Sequence, residues 1–240
     1  MLQSTRALAG KQILLAGATG ALGAACARAL HAAGASLVLL GRRLKALEKL
    51  DDELRAAGAD PALYPLNVEG ATAQDYGELA ERLDTQIGGV DGVLWCTGLL
   101  PELMPVEDHE PSDWIKVLHV NLHAPAFLAS ALTPQLRARS GFIGFALNDP
   151  TLYRHAYWGA YGVAQAGLNQ LVHSLSEECE RSGPQVLGAL LPAFKSGLRL
   201  RAFPGETPDR LATPALVAET LIGAIVAGRR GIQALSLRPG

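Results

Sequence analysis

Cysteine is scarce in this sequence and forms no pattern. Cys26, Cys96 and Cys179 are the only three. The number is odd, and no two stand at metal-ligand spacing, so neither a disulfide framework nor a metal site is expected. Buried, reduced thiols in a cytoplasmic protein are the expectation instead. The six histidines show no ligand spacing either. Charge of one sign is also missing. Lys and Arg number 21 against 23 Asp and Glu, a net charge of −2. That argues against a surface for nucleic acid or anionic membrane. No uninterrupted apolar run reaches the ~18 residues of a spanning helix, so no transmembrane segment is expected. The opening MLQSTRALAGKQ has no long apolar core and no small-residue cleavage site, so no signal peptide is expected. Repeats, low-complexity tracts and linkers are absent as well.

Apolar bulk is plentiful. Hydrophobic residues make up 49% of the 240 and charged residues 18%, which suits one folded domain over 1–240 with a large core. Short apolar runs alternate with longer amphipathic stretches. Strands are expected at 12–16, 36–40, 62–66, 92–96, 141–147, 185–191 and 232–237. Helices are expected at 21–33, 44–57, 71–86, within 112–137, at 159–181 and at 214–227. Strands alternating with helices of this length imply right-handed crossovers and a parallel sheet covered on both faces. The expected architecture is therefore an α/β doubly wound Rossmann fold with about seven strands. The segment 194–213, rich in Gly, Pro and Arg, is long for a connection and is expected to be a lid or substrate loop.

The first expected strand runs straight into Gly17-Ala18-Thr19-Gly20-Ala21-Leu22-Gly23 and then a helix. A helix start exposes unpaired N–H groups and the positive end of a dipole, which suits a pyrophosphate. Glycines there permit unusual backbone angles and close approach of a ligand. A glycine trio is a weak signal alone, but a strand-to-helix turn is the setting that the mechanism needs. The second strand ends in Gly41-Arg42-Arg43. An acid at that point would bind the ribose of NAD(H), whereas an arginine fork suits a 2′-phosphate. The turn with Arg42 and Arg43 therefore favours NADP(H), with NAD(H) second.

With these residues in view, nearly the whole chain resembles the short-chain dehydrogenase/reductase family. The turn is similar to that family's TGxxxGxG, with Ala16 for Thr and Ala21 for the middle Gly. Its spacing is closer to that of extended members, whose added domain 240 residues leave no room for. Asn67-Val68 falls where the family has Asp-Val beside the adenine. Trp95-Cys96-Thr97-Gly98 falls where it has Asn-Asn-Ala-Gly. Asn121 matches its helix asparagine, an organiser of a proton relay. Pro192-Ala193-Phe194-Lys195-Ser196 resembles the Pro-Gly segment flanking the nicotinamide. The family's serine lies just past the fifth strand and its tyrosine 13 residues later. Asn148 and Tyr161 occupy those places, and Gln165 stands where the tyrosine helix (YxxxK) has lysine.

The resemblance implies that Tyr161 donates a proton to a carbonyl as hydride arrives. It also implies a catalytic set, Tyr161, Asn121, Asn148 and Gln165, that lacks serine and lysine. Gln165 can hydrogen-bond a ribose hydroxyl but cannot stabilise a tyrosinate. A tyrosine with an ordinary pKa near ~10 is an acid and a poor base at neutral pH, so reduction should outlast oxidation. An asparagine N–H at 148 can polarise a carbonyl as an oxyanion-hole donor does. Lys195 and His155 are expected to be solvated loop residues rather than pocket charges. Tyr153, Tyr157 and Tyr161, spaced by four, form either a pocket wall or ordinary packing. Ala160, Ala164, Ala166 and Gly167 permit close helix approach, and in the family this helix often builds a dimer or tetramer, so a homodimer or homotetramer is expected. The leading reading is an NADPH-dependent reductase of a small molecule. A catalytically impaired nucleotide-binding protein and a non-redox enzyme reusing the pocket are the alternatives.

Overall fold

The computed structural model describes residues 6–237. The first five residues of the amino-terminal stretch, and the last three of the 1–240 span, lie outside the described residues. Seven strands form one sheet: β1 Gln12–Ala16, β2 Ser36–Gly41, β3 Ala62–Pro65, β4 Gly92–Trp95, β5 Phe142–Leu147, β6 Gln185–Leu190 and β7 Gly231–Ala234. Every pairing is parallel, in the order β3-β2-β1-β4-β5-β6-β7. The order reverses between β1 and β4, and a crevice opens there past the carboxyl ends of the strands.

Alternation along each strand explains the two layers of core. On β1, Ile13 and Leu15 face one cluster, which they share with helices α1 (Ala21–Ala32), α2 (Leu44–Ala56) and the carboxy-terminal α9 (Pro214–Val226). Leu14 and Ala16 face the other, built with α3 (Ala73–Ile87), α5 (Ala124–Ala138) and α7 (Gly159–Glu178). Helix starts follow local chemistry. Thr72 caps α3 in a reciprocal box with Asp75, and Thr213 caps α9 ahead of Pro214.

The strands fall where the apolar runs placed them, except that β7 ends at Ala234, short of the expected 237. The helical stretches depart in three places. The single helix expected within 112–137 is a continuous helical run broken by one wide turn: α4 (Pro111–Leu118), a π turn at His119–His123, then α5. Pro125 has no N–H to give the Asn121 carbonyl, so the regular i→i−4 ladder cannot pass through this point. By length and composition the run Pro111–Ala138 could cross a membrane, although its sequence holds no uninterrupted apolar stretch. In the fold Leu128, Leu132 and Leu136 pack into the core. The second departure is a short helix, α6 (Pro150–Tyr153), and the third is α8 (Gly197–Ala202), inside the segment expected to be irregular.

The base of the sheet is pinned by one buried carboxylate. Asp91 accepts from the Gln12 amide (3.0 Å), from Lys11 (3.2 Å) and from Arg139 (3.4 Å). Burial alone would raise its carboxyl; these donors more than offset that and hold it below the usual carboxylate range. Asp91→Ala is expected to lower stability by roughly 2–3 kcal/mol, because a buried amide loses its acceptor and two cations lose their partner. The check is urea unfolding. In the wild type this contribution is complete above pH ~4 and is lost as pH falls through the lowered native value; the variant should show a shallower acid limb.

Candidate functional site

The glycine turn closes on itself more tightly than any side chain would allow. Gly17 has φ +81°, and a Cβ there would lie 2.6 Å from Thr97 Oγ1. A Cβ on Gly23 would lie 2.0 Å from the Gly17 carbonyl oxygen. Helix α1 therefore starts directly against β1, with Gly20 as its N-cap and no side chain capping its first-turn amides.

Two cavities meet at this turn. One, of ≈ 220 Å³, is lined by Gly17, Thr19, Gly20, Arg42, Arg43 and Val68 among others. The second, of ≈ 410 Å³, takes in Gly20, Ala21, Leu22, Asn148, Tyr161 and Gln165, with Pro192, Ala193 and Phe194 on the far side. Both share Gly20, Cys96, Thr97 and Gly98, so they form one trough across the β1/β4 switch point. Thr97 Oγ1 is buried there without a hydrogen-bond partner.

Most of the catalytic and cofactor-binding candidates from the sequence line this trough, but four do not. Gly23 lies behind the turn, where its missing side chain permits the close packing. Asn67 shapes the loop after β3: its Oδ1 accepts from the Glu69 amide at 3.2 Å. Lys195 turns outward, 3.6 Å from Asp209. Asn121 is buried, and both protons of its side-chain amide are committed. Its Nδ2 donates to the Leu99 and Val117 carbonyls (both 2.8 Å), and its Oδ1 accepts from the Leu99 amide (3.0 Å). It ties the π turn to the loop after β4. Tyr153 and His155 line a separate groove, Tyr157 is exposed, and Trp158 joins Tyr161 in the trough.

At the chemical end, Asn148 Nδ2 donates to the Tyr161 hydroxyl at 2.6 Å and to Gln165 Oε1 at 3.4 Å. Tyr161 and Gln165 are both buried. The Tyr161 oxygen thus accepts a hydrogen bond, and its own proton has no acceptor among the described residues. Burial raises its phenol well above the ordinary value, and the Asn148 hydrogen bond offsets only part of that. The tyrosine is an acid in a neutral setting.

Segment 194–213 closes over this end. Its base is a bridge between Phe194 and Ala212, with Lys195 N donating to Ala212 O at 3.0 Å. Ser196 caps α8. Arg199 forks onto Glu206 with two 2.7 Å bonds and lies 3.9 Å over the Phe203 ring; Phe203 in turn packs near Trp158. Arg199 is the one charged side chain lining the larger cavity among the described residues. The sequence pointed to the segment but not to Arg199 or Phe203. It also missed Glu69, which lines the smaller cavity and pairs with Arg42. Nothing in the spacing of the chain joins residues 42 and 69.

A doubly wound parallel sheet, a glycine turn at its switch point and a trough with a tyrosine at one end define a Rossmann-type α/β protein. The chain belongs to the short chain dehydrogenase family, whose model matches residues 11–205. It is 29% identical over 206 residues to the uncharacterized oxidoreductase YciK of Escherichia coli K12, covering 85% of this chain and 81% of that one. A short chain dehydrogenase structure from Pseudomonas syringae is 34% identical with a TM-score of 0.88, over 96% of both chains. One from Shigella flexneri 2a, complexed with NADP, is 26% identical with a TM-score of 0.89, over 98% of this chain and 100% of that one.

The raised phenol has a measurable consequence for stability. Between the ordinary phenol value near ~10 and the higher native one, the unfolded chain sheds a proton that the native Tyr161 keeps, so stability falls as pH rises. Tyr161→Phe is expected to make that alkaline limb shallower by up to about 1.4 kcal/mol per pH unit, followed by urea unfolding between pH 9 and 11. Identical limbs would show that Tyr161 ionises normally.

Proposed function

We propose that this protein binds NADP(H) along the β1/β4 trough and reduces the carbonyl group of a small apolar molecule, with Tyr161 as proton donor. The observation that carries the proposal is the Tyr161 hydroxyl. It is held by Asn148 at 2.6 Å, and its proton is unclaimed where a substrate oxygen would sit. The residues present fit a dinucleotide. The glycine cradle has no room for a Cβ, the first-turn amides of α1 have no cap, and Thr97 Oγ1 waits for a partner at the junction of the cavities. The NADP complex of the Shigella relative supports the same cofactor, and Arg42 and Arg43 would meet its 2′-phosphate.

The cofactor supplies hydride when bound. This chain's residues do the rest. Tyr161 gives its proton to the developing alkoxide, and Asn148 steadies the phenol oxygen as its charge grows. Asn121 acts at one remove, by locking the loop that carries Thr97 and Gly98. Gln165 replaces the charge that would lower the tyrosine pKa with a neutral amide, so the geometry favours reduction over alcohol oxidation. The same neutrality supports a second reading, a nucleotide-binding protein with little turnover. Segment 194–213 serves as lid. Self-association is part of the proposal, supported by exposed Val106 and Val163 beside a groove on the α7 face. So is a cytoplasmic location, supported by three free thiols.

Titration of NADPH and NADH by fluorescence, with a carbonyl substrate screen, separates these readings. Tyr161→Phe is expected to cut turnover about 10²–10⁴-fold while leaving NADPH affinity intact. Gln165→Lys is expected to raise turnover and bring in alcohol oxidation. Tight NADPH binding without turnover, in wild type and Gln165→Lys alike, supports the binding protein; failure to bind either nucleotide overturns both. Val163→Arg is expected to shift sedimentation toward monomer, and an unchanged profile removes that face from the assembly.

A further inference from the structure

The smaller cavity holds an anion where an anionic ligand is expected. Arg42 follows β2, and its Nη1 pairs with Oε1 of Glu69 from the loop between β3 and α3. Glu69 is not there by accident of a floppy side chain. Its amide is fixed by Asn67 Oδ1 at 3.2 Å, and Gly70 N returns to the Asn67 carbonyl at 3.2 Å, so one tight turn presents it. Its side chain is 29% exposed against 56% for Arg42. The charged side chains lining the cavity are Arg42, Arg43 and Glu69.

We infer that Glu69 is a specificity-determining residue that competes with the cofactor's 2′-phosphate for Arg42 and so narrows the preference for NADP(H) over NAD(H). The inference rests on the proposed nucleotide site and deepens it. A guanidinium fork satisfies one carboxylate or one phosphate well. Glu69 takes Nη1 of Arg42, so a dianionic 2′-phosphate at Arg42 must share the guanidinium with a carboxylate a few ångströms away or displace it, and that proximity is repulsive. A 2′-hydroxyl asks for the reverse. It donates to a carboxylate, as the acid of an NAD site accepts it, and Arg42 stays paired with Glu69. One carboxylate thus penalises the phosphorylated cofactor and rewards the other.

The test is titration of NADPH and NADH against wild type, Glu69→Gln, Arg42→Ala and the double variant, with thermal melts to show that each is folded. Glu69→Gln is expected to tighten NADPH roughly tenfold and to weaken NADH by a smaller factor, since exposed pairs and single like-charge contacts each contribute up to about fivefold. The NADPH gain should vanish in the Arg42→Ala background, where there is nothing to compete for. The gain should also shrink as salt is raised from 0.05 to 0.5 M, as expected for a screened contact. If Glu69→Gln leaves both nucleotides unchanged, moves both equally, or still tightens NADPH without Arg42, the inference falls. If Arg42→Ala still weakens NADPH selectively in that case, the phosphate site stands without the gate. If neither nucleotide binds wild type, the proposed function and this inference fall together.

Discussion

The 2.0 Å gap between the Gly17 carbonyl oxygen and a would-be Cβ at Gly23 is the constraint from which the rest of the site is built. Only a hydrogen fits there, so only glycine lets α1 begin against the end of β1. That contact aims the helix start across the switch point of the sheet. It brings Gly20, Ala21 and Leu22 to the trough wall and sets Thr97, on the neighbouring loop after β4, against Gly17. Were the helix displaced outward by one methyl group, both cavities would lose their common floor. The sheet order makes the crevice, and the glycines make it shallow enough for a backbone to touch a ligand.

The two ends of the trough use opposite electrostatics. At the end lined by Arg42, Arg43 and Glu69, charge is solvated and paired across the surface. On the proposed nucleotide site, a phosphate there would compete with the Arg42–Glu69 ion pair. At the Tyr161 end the hydrogen-bonding groups are neutral: a phenol and two amides, covered by Trp158, Phe203 and the α8 segment. Burial without a cation makes the phenol harder to ionise, and an amide hydrogen bond recovers only part of the cost. The wall of the larger cavity carries one guanidinium, Arg199, and it is already forked onto Glu206.

Much of this was legible in the chain. The strands declared themselves because a parallel sheet buried on both faces needs continuous apolar runs, and QILLA, SLVLL and GVLWC can do little else. The glycine turn was legible because its chemistry is local. Asn148, Tyr161 and Gln165 were placed by counting from β5, and the fold brings those three side chains together. What escaped was long-range. The π turn at Asn121 depends on Pro125 removing one donor and on Leu99, 22 residues away, supplying new partners. The side chain of Asn121, expected as an organiser of a proton relay, ties two loops together through those partners. Helix α8 escaped because Gly and Arg in a proline-bounded segment read as irregular until Ser196 caps it and Phe203 finds Trp158. The partner of Arg42 escaped because ion pairing between separate loops leaves no periodicity.

These gaps share a physical cause. Local rules report what a segment can do alone, and contacts between segments lie outside their reach. Arg42 read in isolation is a phosphate site. Read with Glu69 beside it, the same guanidinium already has an anionic partner, and its affinity for a phosphate becomes a difference between two pairings. The same logic holds at Tyr161. A tyrosine in register is an acid–base catalyst by position, but whether it gives or takes a proton depends on what surrounds the hydroxyl. Here the surroundings are amides and aromatic carbon, and burial among them keeps the proton on the oxygen.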